Sequence, residues 1–372
     1  MSKESSPSHI PSLDGIRAIA FLTVYVAHGG LGNIVPGGFG VTIFFFLSGY
    51  LITTLLRQET LKYGMVSLRS FYIRRAFRIL PPMYITLAVT YLLVWAKLAS
   101  GPAGFLGFLS ALLYVNNYYS LLAHSPTLPI GATILWSLAI EEHFYLIFPF
   151  VYRAFLRNRI TQEGQSRMLL AGCAGALLWR TFLVFSVHTQ TAVSMPWTYI
   201  ATDCRFDAIA WGCLLAIRNS PTMKDHSPLF ERNAGKLALA GLALIVASLV
   251  YRNTLYRETL RYTVQEIALY PIFYYCVAYS QSWQVRWLEW KWIRWVGWLS
   301  YSLYLIHFVI LDCLERAFPK RSVTVFFAGL ILALFYAWIM RETVEVPLRR
   351  MRERVERKFR REISLRVASS AT

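Results

Sequence analysis

The stretch Leu13-Asp14-Gly15-Ile16-Arg17-Ala18-Ile19-Ala20-Phe21-Leu22-Thr23-Val24-Tyr25-Val26-Ala27-His28 decides how the rest of the chain is read. Between Ala18 and Ala27 its side chains are almost wholly apolar. A helix that is apolar all round belongs in a core or a bilayer. Yet this one opens on an acid and a base and closes on an imidazole. On a helix of 3.6 residues per turn, Arg17 and His28 fall within about 20° of one meridian and Asp14 within about 40° of His28, with His28 about 16 Å further along the axis than Arg17. A charge near a bilayer centre costs about 2.5–3.5 kcal/mol on insertion scales, so such residues pair or line a cavity. A helix N-cap accounts for Asp14 and a snorkelling anchor for Arg17. Neither role accounts for His28.

Working outward, further apolar stretches occur at 39–56, 83–98, 104–122, 133–152, 168–187, 197–217, 237–251, 263–281, 295–313 and 323–340. Most are about 15–20 residues long, the length that crosses a bilayer core. The 372 residues are 56% hydrophobic and 16% charged, against roughly a quarter charged in soluble domains. The fold class is therefore an all-α polytopic membrane bundle. The segment 104–122 holds Asn116, Asn117 and several tyrosines without a flanking base, and reads as an interfacial or re-entrant element. If it does not cross, the bundle has about ten spans with both termini cytoplasmic, and 28 Lys and Arg lie inside against 7 outside. If it crosses, the basic tail lands outside, against the positive-inside rule. The net charge of +18 then reflects topology in a multi-pass cell-membrane protein, and no nucleic-acid partner is expected. The first span, with Asp14 and Arg17, reads as retained, since no basic n-region or small-residue cleavage site accompanies it. Cys173, Cys204, Cys213, Cys276 and Cys313 lack metal-ligand spacing and read as small core residues. Residues 1–348 form the membrane domain. Residues 349–372 form a basic cytoplasmic tail, either solvated or lying on anionic lipid.

Other spans carry ionisable residues too. In Trp136-Ser137-Leu138-Ala139-Ile140-Glu141-Glu142-His143-Phe144-Tyr145, the side chains of Ser137, Glu141 and Tyr145 repeat at i, i+4 and i+8 on one face. Two adjacent buried glutamates cannot both ionise cheaply, so at least one faces a hydrated cavity or an arginine. Asp203, Arg205 and Asp207 share the span 197–217, where a structural interhelical salt bridge competes with a site. Ser300, Tyr304 and His307 share a face of 295–313, where a satisfied core histidine competes with a functional one. Arg75 and Arg78 sit one turn apart in the connector before Pro81, a pair suited to forking onto phosphates.

Together these pieces resemble the acyltransferase 3 family of membrane acyltransferases, which includes O-antigen O-acetylases and macrolide acyltransferases. The matching residues are Leu13-Asp14-Gly15-Ile16-Arg17 with its spacing to His28, Gly40-Val41 through Ser48-Gly49-Tyr50, Arg75 and Arg78, Trp136-Ser137-Leu138 with Glu141 and Phe144-Tyr145, Arg205 with Asp207, Ser300 through Leu305 with His307, and Glu345 with Pro347. In that family an Asp is frequent where this chain has Thr42. Many bacterial relatives append a soluble hydrolase-like domain, and none is expected in the 31 residues after Arg341.

The resemblance implies transfer of an acyl group, usually acetyl from acetyl-CoA, to a hydroxyl of a carbohydrate or similar acceptor. Acyl-CoA would be a co-substrate, with no resident cofactor and no metal. On this reading Arg75 and Arg78, with Arg17, hold the CoA phosphates, and His28 removes the acceptor's proton. A covalent acyl-histidine is the alternative. Glu141 orients or charge-balances His28 or Arg17, and Asp14, Ser137, Tyr145, Arg205, Asp207 and His307 line the cavity. A transporter or flippase of a glycan or lipid-linked intermediate is the rival, since intramembrane charges also mark transport paths. The chain shows no internal repeat of the kind many transporters carry.

Overall fold

Within a bilayer every backbone amide must find its partner inside the protein, and a helix does this within one segment. The computed structural model describes residues 10–123, 126–186, 197–223, 227–319 and 322–354. Its regular elements are all helical, with no strand among the described residues. They run α1 (Pro11–Val26), α2 (Gly37–Tyr63), α3 (Leu68–Trp95), α4 (Phe105–Leu112), α5 (Asn116–Leu122), α6 (Trp136–Arg157), α7 (Gln162–Ser186), α8 (Trp197–Ile200), α9 (Thr202–Arg218), α10 (Pro228–Val250), α11 (Thr254–Glu258), α12 (Leu260–Ala278), α13 (Lys291–Ala317) and α14 (Val323–Met340).

Among the described residues, seven helical stretches are long and apolar enough to cross a membrane: Gly37–Tyr63, Leu68–Trp95, Ile130–Arg157, Gln162–Ser186, Pro228–Val250, Lys291–Ala317 and Val323–Arg354. Their outward faces carry Leu178, Phe182, Leu239, Val246, Ile331 and Phe335, all exposed. An apolar surface of that extent marks a lipid contact, and the protein is a multi-pass membrane protein. The remaining long helices, α1, α9 and α12, have 16, 17 and 19 residues. They carry buried charge instead: Asp14 on α1, Arg205 and Asp207 on α9, and Glu266 on α12.

The segment 104–122 breaks into α4 and α5, of 8 and 7 residues, around Tyr114 at φ 58. At 1.5 Å per residue each spans about 10–12 Å, far short of a core about 30 Å thick. Elsewhere the boundaries need correction. Arg75 and Arg78 are not in a connector, because α3 already starts at Leu68, where the Ser67 side chain accepts from the Ser70 amide at 3.3 Å. Pro81 and Pro82 lie inside that helix. They stop no helix here, although neither can donate to a carbonyl one turn back, because membrane helices accommodate such freed groups with nearby donors. The carbonyls so freed are those of Phe77 and Arg78, and the Tyr301 hydroxyl donates to the neighbouring Ile79 carbonyl at 2.8 Å. The tail set apart at 349–372 lies outside the described residues from 355 onward.

α2 and α9 touch through reciprocal glycines. A Cβ on Gly49 would collide with the Ile209 carbonyl, and one on Gly212 with the Phe46 carbonyl. Only a residue without a Cβ permits such backbone approach. Gly212→Leu is expected to force the two helices apart at a cost of about 1–3 kcal/mol or more. The check is size-exclusion chromatography with a thermal ramp in detergent, where an unchanged unfolding midpoint would show that the contact is not needed.

Candidate functional site

Between α1, α2, α3, α6 and α13 lies a cavity lined by residues of all five helices. Arg17, Arg75, Arg78, Glu141 and Tyr145 form one part of its wall, and Val41, Phe44, Ser137 and Tyr304 another. α1 and α3 contribute residues from their first halves, and Val41 and Ser137 stand near the starts of α2 and α6.

The cationic part is built on aromatic support. The Arg75 guanidinium sits 4.4 Å from the Tyr145 ring centre and 5.7 Å from that of Phe71, a stacking that leaves its N–H fork free to face a ligand. Arg17 pairs with Asp14 at 3.2 Å, and Asp14 also accepts from the Trp298 indole at 2.8 Å. Glu141 accepts from the Ser48 hydroxyl at 2.6 Å. Among the described residues neither Arg75 nor Arg78 is held by a protein carboxylate, and both line the cavity. Three arginines around one cavity with Glu141 as its one acidic lining residue suit a polyanion. Glu345, which accepts from Ser302 at 2.5 Å, stands outside the lining.

On α13 the lining residue Tyr304 stands one turn before His307, which contacts His28. Tyr304 and Ser137 share a hydroxyl–hydroxyl bond of 2.7 Å. One turn beyond Tyr304 on α13, His307 is 0% exposed. Its Nε2 lies 2.9 Å from Nδ1 of His28. His28 itself is half-buried on a π-helical turn, Ala27–Leu31, that ends α1. That turn needs Gly30, whose φ of 114° other residues rarely adopt. The Phe308 ring stacks on His28 with centres 4.4 Å apart.

The structure thus gathers Arg17, Arg75, Arg78, Glu141, Ser137 and Tyr145 on one cavity. His28 is not on its lining. It stands behind Tyr304 and His307, and in contact with His307 rather than Glu141. Asp14, Arg205, Asp207 and His307, expected as lining residues, stand outside the cavity too. Asp14 backs Arg17. Arg205 bonds the Thr42 hydroxyl at 2.9 Å and lies 3.7 Å from the Tyr262 ring centre. Asp207 pairs with Arg180 at 2.7 Å, both side chains 0% exposed. Ser48 and Tyr301 lie in stretches that match the family but carried no expected role, and Arg180 and Glu266 carried none either. A charge within an apolar span was the available signal for Arg180 and Glu266, whereas for Ser48 the family match was the only signal.

Comparison with known proteins gives these positions a context. The chain is similar to the O-acetyltransferase OatA of Staphylococcus aureus strain NCTC 8325, 27% identical over 365 residues, 94% of this chain and 59% of that protein. The OatA of Staphylococcus aureus strain COL gives the same identity and coverage. The chain therefore spans less than two thirds of the length of these relatives. No solved structure matches the chain. The family model Acyl_transf_3, described as an acyltransferase domain, matches residues 10–342, and the chain belongs to that acyltransferase family.

Proposed function

We propose that the chain is an integral membrane O-acyltransferase that moves an acyl group, acetyl in the simplest case, from acyl-CoA to a hydroxyl of a carbohydrate or related acceptor. The observation that carries this reading is one cavity lined by Arg75 and Arg78, which no protein carboxylate holds among the described residues, and by Tyr304, one turn before the histidine that contacts His28. Arg75, Arg78 and Arg17 take the CoA phosphates at the mouth, and the pantetheine arm lies along the cavity toward Tyr304. His28 Nε2 removes the acceptor's hydroxyl proton as the oxygen attacks the thioester carbonyl. The C–O bond forms, the C–S bond breaks, and the leaving thiolate takes up the proton from the imidazolium. Ser48 and Glu141 hold the cavity wall between the arginines and the reacting carbonyl.

Topology fits the same reading. The seven apolar helices together with α1, α9 and α12 give ten spans of the cell membrane, while α4 and α5 enter and leave on one side. The basic loops then place both termini and the arginine mouth in the cytoplasm, where acyl-CoA is made. Residues 1–348 form the catalytic domain and 349–372 a basic cytoplasmic tail.

Purified chain in detergent is expected to release CoA from acetyl-CoA, measured with a thiol-reactive dye. Failure to do so, together with uptake of a glycan by proteoliposomes, would favour a transporter instead. Replacing Arg75 and Arg78 together by Ala is expected to raise the KM for acetyl-CoA about 10- to 100-fold, the worth of lost charge-assisted hydrogen bonds. An unchanged KM would remove the arginines from the donor site. Mass spectrometry of envelope glycans with and without the gene identifies the acceptor by a shift of one acyl mass.

A further inference from the structure

We propose that His307 is a positioning residue that sets which nitrogen of His28 is free to accept a proton; the proposal rests on His28 being the base of the transfer reaction. His307 Nδ1 faces two backbone carbonyls, Tyr304 O at 2.8 Å and Leu303 O at 3.2 Å. A carbonyl oxygen only accepts, so Nδ1 carries the hydrogen of this ring. In a neutral imidazole the other nitrogen is then a bare acceptor. That acceptor, Nε2, lies 2.9 Å from His28 Nδ1, so His28 Nδ1 must be the donor. The consequence falls on the far side of His28: its Nε2 is left with a lone pair and no hydrogen, the state a base requires. His307 is fixed for this task. It is 0% exposed, with ring centres of Phe21 and Tyr304 at 5.8 and 5.7 Å. Hydrogen bonds that orient the ring of a working imidazole and hold its tautomer are a general device. Here the device is a second histidine in place of a carboxylate. Its own tautomer is dictated by the backbone carbonyls of its helix.

Two substitutions separate this role from packing. Glutamine at 307 can place its carbonyl oxygen where Nε2 stands and accept from His28. Asparagine is too short to reach His28, while still bonding the Tyr304 carbonyl. The probe is acetyl-CoA with water as acceptor, and CoA release is followed for the full chain in detergent. H307N is expected to lose about 100-fold or more in kcat with KM for acetyl-CoA unchanged, and H307Q to keep kcat within about tenfold. Equal loss in both variants, or undiminished kcat in H307N, overturns the proposal. Size-exclusion profiles accompany each assay. If H307N does not fold, H307Q alone decides, because a loss beyond tenfold in the folded variant contradicts the acceptor role. H28A is run beside them: CoA release at the parental rate in H28A refutes the base assignment itself, independently of His307.

Discussion

His28→Ala is expected to abolish acyl transfer while the protein still accumulates in the membrane. General-base catalysis by a placed side chain contributes about 10²- to 10⁴-fold, and among the described residues no other imidazole is positioned to replace this one. His307 is 0% exposed and bonded to its own helix carbonyls. His143 is engaged with Thr202 at 2.7 Å, on another helix pair. Folding should survive because His28 is half-buried on the turn after α1, outside the buried core of that helix. The substitution leaves His307 Nε2 without its partner, a loss of about 1–3 kcal/mol, which a protein of this size tolerates better than its chemistry does. The measurement is CoA release and acyl incorporation against membrane abundance by immunoblot. Parental activity in the variant would end the mechanism.

Arg180→Leu should have the largest effect on stability. Arg180 on α7 meets Asp207 on α9 at 2.7 Å and the Thr263 hydroxyl on α12 at 2.7 Å, and it also donates to the Cys204 carbonyl. Glu266 on α12 belongs to the same cluster and is 0% exposed. Removing one partner of a buried pair costs about 3–5 kcal/mol, because the other charge stays uncompensated. Here two carboxyl groups would be left against Arg205 alone. The expected outcome is little or no monodisperse protein in detergent, with partial recovery when Asp207→Leu is added. Such recovery is expected because an apolar pair of similar volume often replaces an ion pair without loss. A single variant as heat-resistant as the parent would show that the pair carries little weight.

Much of this was legible in one dimension. The apolar runs announced a helical membrane protein, and the spacing of Ser137, Glu141 and Tyr145 put them on one face, where the cavity now lies. Periodicity speaks only within one helix, however. The contact between His28 and His307 joins residues 279 positions apart, and no spacing rule pairs them. Glu141 is equally near in register to several partners, and its bond to Ser48 comes from the crossing of α2 and α6. Arg75 and Arg78 lie outside the apolar run 83–98, yet α3 extends back to Leu68, because a helix can run on beyond its apolar stretch into a basic, water-facing end. The break in 104–122 was readable because asparagines in an apolar run have no lipid-compatible partner.

The glycine contact between α2 and α9 gives the cavity walls unequal compliance. Two backbones in direct touch cannot slide or separate without a clash or a void, so the wall carrying Phe44 and Ser48 behaves as a fixed plate. Another wall is α3, where Pro81 and Pro82 leave the Phe77 and Arg78 carbonyls without their usual amide donors. Of the two walls, α3 is the one that can bend at its prolines without parting a backbone-to-backbone contact.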